Sequence, residues 1–134
     1  KNAKVFQNSA PMLVPLAEAG ESKLAEPFIR KYLAPFDFTQ GKPIDALVLG
    51  CTHYPIYKKE IKQALRKVSP HAKIISQDEI VPKKLKNYLA QHQEIEKKLS
   101  KNHTVRILVT DETETIDKLT RKWFGNVKPY LIKL

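Results

Sequence analysis

A short, aliphatic-rich run at residues 44–49 ends on Gly50, and the only cysteine of the chain follows at once, in Leu47-Val48-Leu49-Gly50-Cys51-Thr52-His53-Tyr54-Pro55. Such a run reads as a buried parallel strand. Glycine breaks the strand, and Pro55 suits the first turn of a helix, where its missing N–H is no loss. Ile56, Ile61, Ala64, Leu65 and Val68 then recur among lysines, which predicts an amphipathic helix over 55–68. Cys51 is thereby placed at the carboxyl end of a strand and just before a helix, the edge where open α/β sheets bind ligands.

Thiols near a helix N-terminus or a cation ionise more readily than free ones. Cys51 in that setting has the chemistry of a base or nucleophile. Thr52 offers a hydroxyl donor, and turn amides facing outward can join it in binding a carboxylate at the helix mouth. His53, two residues beyond the thiol, can assist its proton exchange. The alternative reading of Cys51 is a small buried apolar residue, since unreactive structural thiols are common. One cysteine and scattered histidines do not supply the three or four ligands of a zinc site.

The motif Gly50-Cys51-Thr52-His53-Tyr54-Pro55 resembles, residue for residue, the second-cysteine motif of bacterial glutamate racemases. Upstream, Pro11-Met12-Leu13-Val14-Pro15-Leu16-Ala17-Glu18-Ala19-Gly20 is similar to the family's Cys-Pro-Leu-x-Val-Pro-Leu-Val-Glu-x-Gly segment. Thr104-Val105-Arg106-Ile107-Leu108-Val109-Thr110-Asp111, followed by a helix ending at Phe124-Gly125, resembles its last strand and helix more weakly. The resemblance implies a catalytic role for Cys51, His53 and Glu18, with Glu18 orienting a neighbouring acid–base group. It also implies that Cys51, Thr52 and His53 contact the substrate. The implied reaction is inversion of glutamate at its α-carbon by two thiols, without cofactor or metal, supplying D-glutamate for peptidoglycan. Ser9-Ala10 stand where the family has Ala-Cys, a cysteine outside its catalytic pair, and Ser76-Gln77-Asp78 replace its Asp-Ser-Gly. Aspartate, hydantoin and malonate are the alternative ligands within the superfamily.

The resemblance also implies a longer protein whose first half carries the other thiol. The chain opens on Lys1-Asn2-Ala3-Lys4 without an initiator Met, so it is expected to be the C-terminal half. Residues 1–76 are expected to be an incomplete racemase-like domain, and 77–134 a segment returning to the partner domain. Expected partners are glutamate, the other half of the same protein and a homodimer mate.

Composition bears on what else the chain can do. Its 134 residues suit a domain of ordinary size, and 42% apolar residues suffice for a core. The 24 basic and 14 acidic residues leave +10, of which +9 falls after residue 55. A basic half can bind polyanions or steer small anions, though lysines on solvated helix faces give the same count. Lys83, Lys84 and Lys86 lack an interleaved aromatic platform or glycine-rich loop, so nucleic-acid binding is not expected. A non-catalytic basic module remains the competing class. A single cysteine, no apolar run of membrane-spanning length and no signal-peptide pattern lead to an expected cytoplasmic location.

The remaining elements follow from periodicity and punctuation. Strands are expected at 4–7, 44–49, 72–75, 104–109 and 129–132. Helices are expected at 11–19 with Gly20 closing the first, from 21 to Pro35, at 55–68, at 79–99 with Pro82 in its first turn, and from a Thr110 or Asp111 cap to Gly125. Gly41 is the expected turn residue of a loop over 36–43. Val81, Leu85, Tyr88, Leu89, Ile95 and Leu99 should form an apolar stripe, and Trp123 and Phe124 core anchors or interface residues. The alternation argues an α/β layered fold with a largely parallel sheet flanked by helices.

Overall fold

Strand β1, Ala46–Leu49, lies parallel to β2, Lys73–Ser76, with Val48 opposite Ile75 and Leu49 opposite Ser76. Parallel neighbours need a crossover. Here it comprises the turn at 50–53, a 3₁₀ turn at Tyr54–Tyr57 and helix α3, Lys58–Val68. The computed structural model describes residues 2–37, 41 and 43–133. Leu49 is buried while Val48 is 64% exposed. The strand therefore alternates with period two, where the sequence suggested burial on both faces. Among the described residues its sheet has only two strands, and Val48 and Ile75 leave its face away from the helices exposed.

Two helices complete that cover: α1, Leu13–Glu18, and α2, Ala25–Leu33. α1 packs on α2, and α2 packs on α3. Leu13 and Ala17 of α1 join Ala25, Ile29 and Leu33 of α2 in one core with Ile61, Ala64 and Leu65 of α3. The three-to-four spacing of these residues is the spacing of a single helix face. Gly20, at φ +80°, ends α1 in the left-handed region. Its amide reaches Ala17 O at 3.1 Å, and that of Glu21 reaches Leu16 O at 2.9 Å, the paired bonds of a Schellman motif. Ser69 is buried between segments: its Oγ donates to Phe36 O at 2.8 Å and accepts from Ile44 N at 3.3 Å.

Several boundaries differ from expectation. No strand forms at 4–7, because no neighbouring strand offers that segment a ladder; Phe6 instead meets the Phe36 ring at 6.5 Å. The helix expected from 21 starts as a 3₁₀ turn, Ser22–Leu24, and Pro35 lies in another, Ala34–Phe36. Gly41 adopts φ +70°, as a turn residue should, while 38–40 and 42 of that expected loop lie outside the described residues. Helix α4, Gln77–Gln91, follows β2 directly and stops at His92, before the short α5, Gln93–Glu96. Pro82 thus sits inside α4 beyond its first turn, where it cannot donate a bond to the carbonyl of Asp78. No residue of α4 is buried, and Val81, Leu85 and Tyr88 of its expected stripe are exposed.

The chain divides into two compact units, Lys1–Gln91 and His92–Leu134. In the second, β3, Ile107–Val109, lies parallel to β4, Pro129–Leu131, through helix α6, Glu114–Phe124. The cap of α6 is Thr113, whose Oγ1 accepts from Ile116 N at 3.2 Å, rather than Thr110 or Asp111. Gly125 ends the helix at φ +73°. Trp123 and Phe124 are both exposed, so neither anchors a core here. The fold class is α/β, with short parallel strands flanked by helices. No helix among the described residues is long and apolar enough to cross a membrane.

Candidate active site

The turn at the carboxyl end of β1 brings three of the four expected site residues into line. Cys51 is a free, half-buried thiol. Its Sγ lies 3.7 Å from His53 Nδ1. The other ring nitrogen, His53 Nε2, lies 3.3 Å from Glu18 Oε1, at the last residue of α1. When Nε2–H donates to the carboxylate, Nδ1 carries the lone pair and faces the sulfur. A proton can then pass between Sγ and Nδ1 while the carboxylate holds the ring in that tautomer and stabilises any charge it gains. The Glu18 and His53 side chains are 49% and 24% exposed, so the pair contributes roughly 0–1 kcal/mol to stability.

Thr52, the fourth expected residue, is exposed on the same turn beside the thiol. The helix mouth differs from expectation. Pro55 is the second residue of a 3₁₀ turn, and α3 starts only at Lys58. Tyr54 N is bonded to Cys51 O at 3.2 Å and Ile56 N to His53 O at 3.1 Å. Those two amides are committed within the turn, so an anion there would rely on Thr52 and the amides before Tyr54.

Of a ligand-lining and a core-filling role for Tyr54, the contacts are those of core filling. It packs against the core, and its hydroxyl donates to Ala10 O at 3.4 Å. Burial pushes its phenol pKa up, and the neighbouring Cys51 adds to that shift. Tyr57 is fully buried, with its hydroxyl on Leu13 O at 2.9 Å; burial pushes its pKa up against a smaller opposing effect from Ser22. Tyr32, one of the apolar-face positions expected of the second helix, also makes polar contacts: its hydroxyl accepts from Met12 N at 3.4 Å, and its carbonyl accepts from Asn8 Nδ2 at 2.8 Å. No periodicity announces such contacts between segments twenty residues apart. His92 pairs with Glu94 at 3.0 Å. Among the described residues, no group of three or more His, Cys, Asp or Glu is arranged to hold a metal ion.

No family model matches the chain. The glutamate racemase of Sulfurihydrogenibium sp. is 32% identical over 136 aligned positions, which cover 100% of this chain and 47% of that protein. A crystal structure of a glutamate racemase isoform from Bacillus anthracis superposes with a TM-score of 0.74 at 26% identity, covering 98% of this chain and 47% of that one. The glutamate racemase of Francisella tularensis in complex with D-glutamate superposes at 0.72 with 25% identity, over 98% and 47% of the two chains. The chain thus spans about half the length of the relatives it matches.

Proposed function

We propose, from the premise that this chain belongs to the glutamate racemase family, that Cys51 is one of two thiol acid–base groups in a racemase of glutamate. The observation that carries this reading is the line from Cys51 Sγ through His53 to Glu18. In one direction the Cys51 thiolate takes the α-proton from one face of the substrate. The C–H electron pair stays on the α-carbon, and a second thiol delivers a proton to the opposite face. In the other direction the two thiols exchange roles. His53 accepts or returns the Cys51 proton, Glu18 holds its ring, and Thr52 binds the substrate carboxylate. No cofactor enters these steps.

The second thiol is not among these 134 residues, which contain one cysteine. The isolated chain therefore turns over neither enantiomer. Residues 1–76 form part of the domain that carries Cys51, and 77–134 belong with the partner domain. In the complete, cytoplasmic enzyme the product D-glutamate feeds the cell wall. The chain's similarity to a racemase solved with D-glutamate supports that substrate over aspartate, hydantoin or malonate.

Two measurements test the reading. Cys51 should alkylate faster than free cysteine at neutral pH, and glutamate should protect it in the full-length enzyme. Cys51→Ser in that enzyme should lower kcat/KM by about 10²–10⁴-fold. Ordinary alkylation without protection would overturn the assignment. The net charge of +9 after residue 55 favours a second reading, a basic binding module. It requires DNA retention that falls steeply with salt, and no retention at moderate salt removes it.

A further inference from the structure

We propose that Tyr54 and Tyr57 are positioning residues for the Glu18–His53 pair, their hydroxyls tying the start of α1 to the 3₁₀ turn that His53 caps. Glu18 and His53 come from segments 35 positions apart in sequence, yet their polar atoms meet at 3.3 Å. Something must fix α1 against the turn. Tyr54 and Tyr57 are the first and last residues of that turn, and His53 precedes it. Tyr57 donates to the carbonyl of Leu13, the first residue of α1, and Tyr54 to that of Ala10 just before it. The third hydroxyl, on Tyr32 of α2, accepts from Met12 N between those two points. Three phenols therefore hold the backbone over 10–13.

The lever arm is short. α1 runs six residues, about 9 Å at the α-helical rise, from this pinned end to Glu18. A helix fixed at one end and stopped by Gly20 at the other carries its last carboxylate to a defined place. Burial alone does not call for the Tyr57 hydroxyl, since phenylalanine would fill the same space without a polar atom to satisfy. The hydroxyl adds a directional tie from the turn to α1. Its consequence at Cys51 rests on the racemase reading; the tie itself does not.

The test uses the 134-residue chain with Tyr54→Phe, and with Tyr54→Phe and Tyr57→Phe together. Crystal structures should show Glu18 Oε1 moving out of hydrogen-bond reach of His53 Nε2, further in the double variant than in the single one. Across a pH series, Glu18→Gln should slow Cys51 alkylation in the parent chain and have no further effect in the double-Phe background. A Glu18–His53 contact retained at its original distance in both variants overturns the proposal, even if the melting temperature falls. If the double variant does not fold, Tyr54→Phe decides alone by the same distance. If the contact opens but Glu18→Gln never alters alkylation, the tie stands and the proton relay fails.

Discussion

The two units share one strand–helix–strand plan and differ in what covers it. In the first, β1, α3 and β2 lie under α1 and α2, and eleven apolar residues among those described, from Ala10 to Leu65, are buried. In the second, β3, α6 and β4 repeat the parallel pairing, yet its buried residues among those described are Thr120 and Pro129. Both helices are amphipathic and both carry basic residues in their last turn. The difference lies in the second layer. A sheet or helix buries its apolar face only against another element, and the first unit contains that element while the second does not. Local pattern makes the crossover; cover makes the core.

The largest effect that can break this contrast is core truncation. Ile29→Ala or Ile61→Ala in the first unit should cost about 2–5 kcal/mol in urea unfolding. Leu108→Ala, on an exposed position of β3, should change stability by roughly 0.5 kcal/mol or less. Comparable losses at the two sites would end the distinction. A smaller contrast concerns single polar anchors. Ser69→Ala leaves Phe36 O and Ile44 N without their buried partner and should cost about 1–3 kcal/mol. Thr113→Ala removes the α6 cap and should cost about 1 kcal/mol, seen as local amide exchange rather than global unfolding.

The smallest effect is electrostatic. Lys58 Nζ meets Asp78 at 2.6 Å and Glu79 at 2.8 Å. Its hydrogen bonds to Asp78, then Glu79, hold the ammonium above its ordinary pKa, and the Lys58 bond, then that of Ser76, holds the Asp78 carboxyl below the usual range. The carboxyl's contribution is present above its unfolded value and is lost as pH falls through the depressed folded one. That of the lysine is present below its unfolded value and is lost as pH rises through the raised folded one. These groups are solvated, so the effect is small. Lys58→Met should flatten both ends of the urea-midpoint profile, whereas Lys118→Met, which removes an exposed partner of Glu114 in α6, should leave it unchanged. A profile indifferent to Lys58 would remove the link between α3 and the start of α4.

Much of the first unit was legible because its signals are local. The 44–49 run, the Gly50 break and the spacing of Ile61, Ala64, Leu65 and Val68 each specify an element through near neighbours. Gly20 and Gly125 likewise mark helix ends by a backbone conformation that glycine adopts readily. Cover was not legible. Val48 and, on α4, Val81 and Leu85 have the composition of buried residues and are exposed, because periodicity names the face and not what lies against it. The same limit hid Tyr32 on Met12. Cys51 and His53 were readable as neighbours on one turn, whereas Glu18 beside His53 came only through the resemblance, since no spacing rule joins positions 35 apart. Thr113 displaced Thr110 as cap because β3 ends at Val109 and four further residues intervene before α6.

The bare outer face of β1 and β2 has a colloidal consequence. Val48 and Ile75 stand side by side in register on an open parallel sheet, a surface that invites another strand or copy. A net charge of +10 pushes copies apart before such faces meet. That repulsion reaches only about 8 Å at physiological ionic strength. Dispersed at low salt, the chain should become self-adhesive as salt is added, so that ionic strength decides how long it stays monomeric.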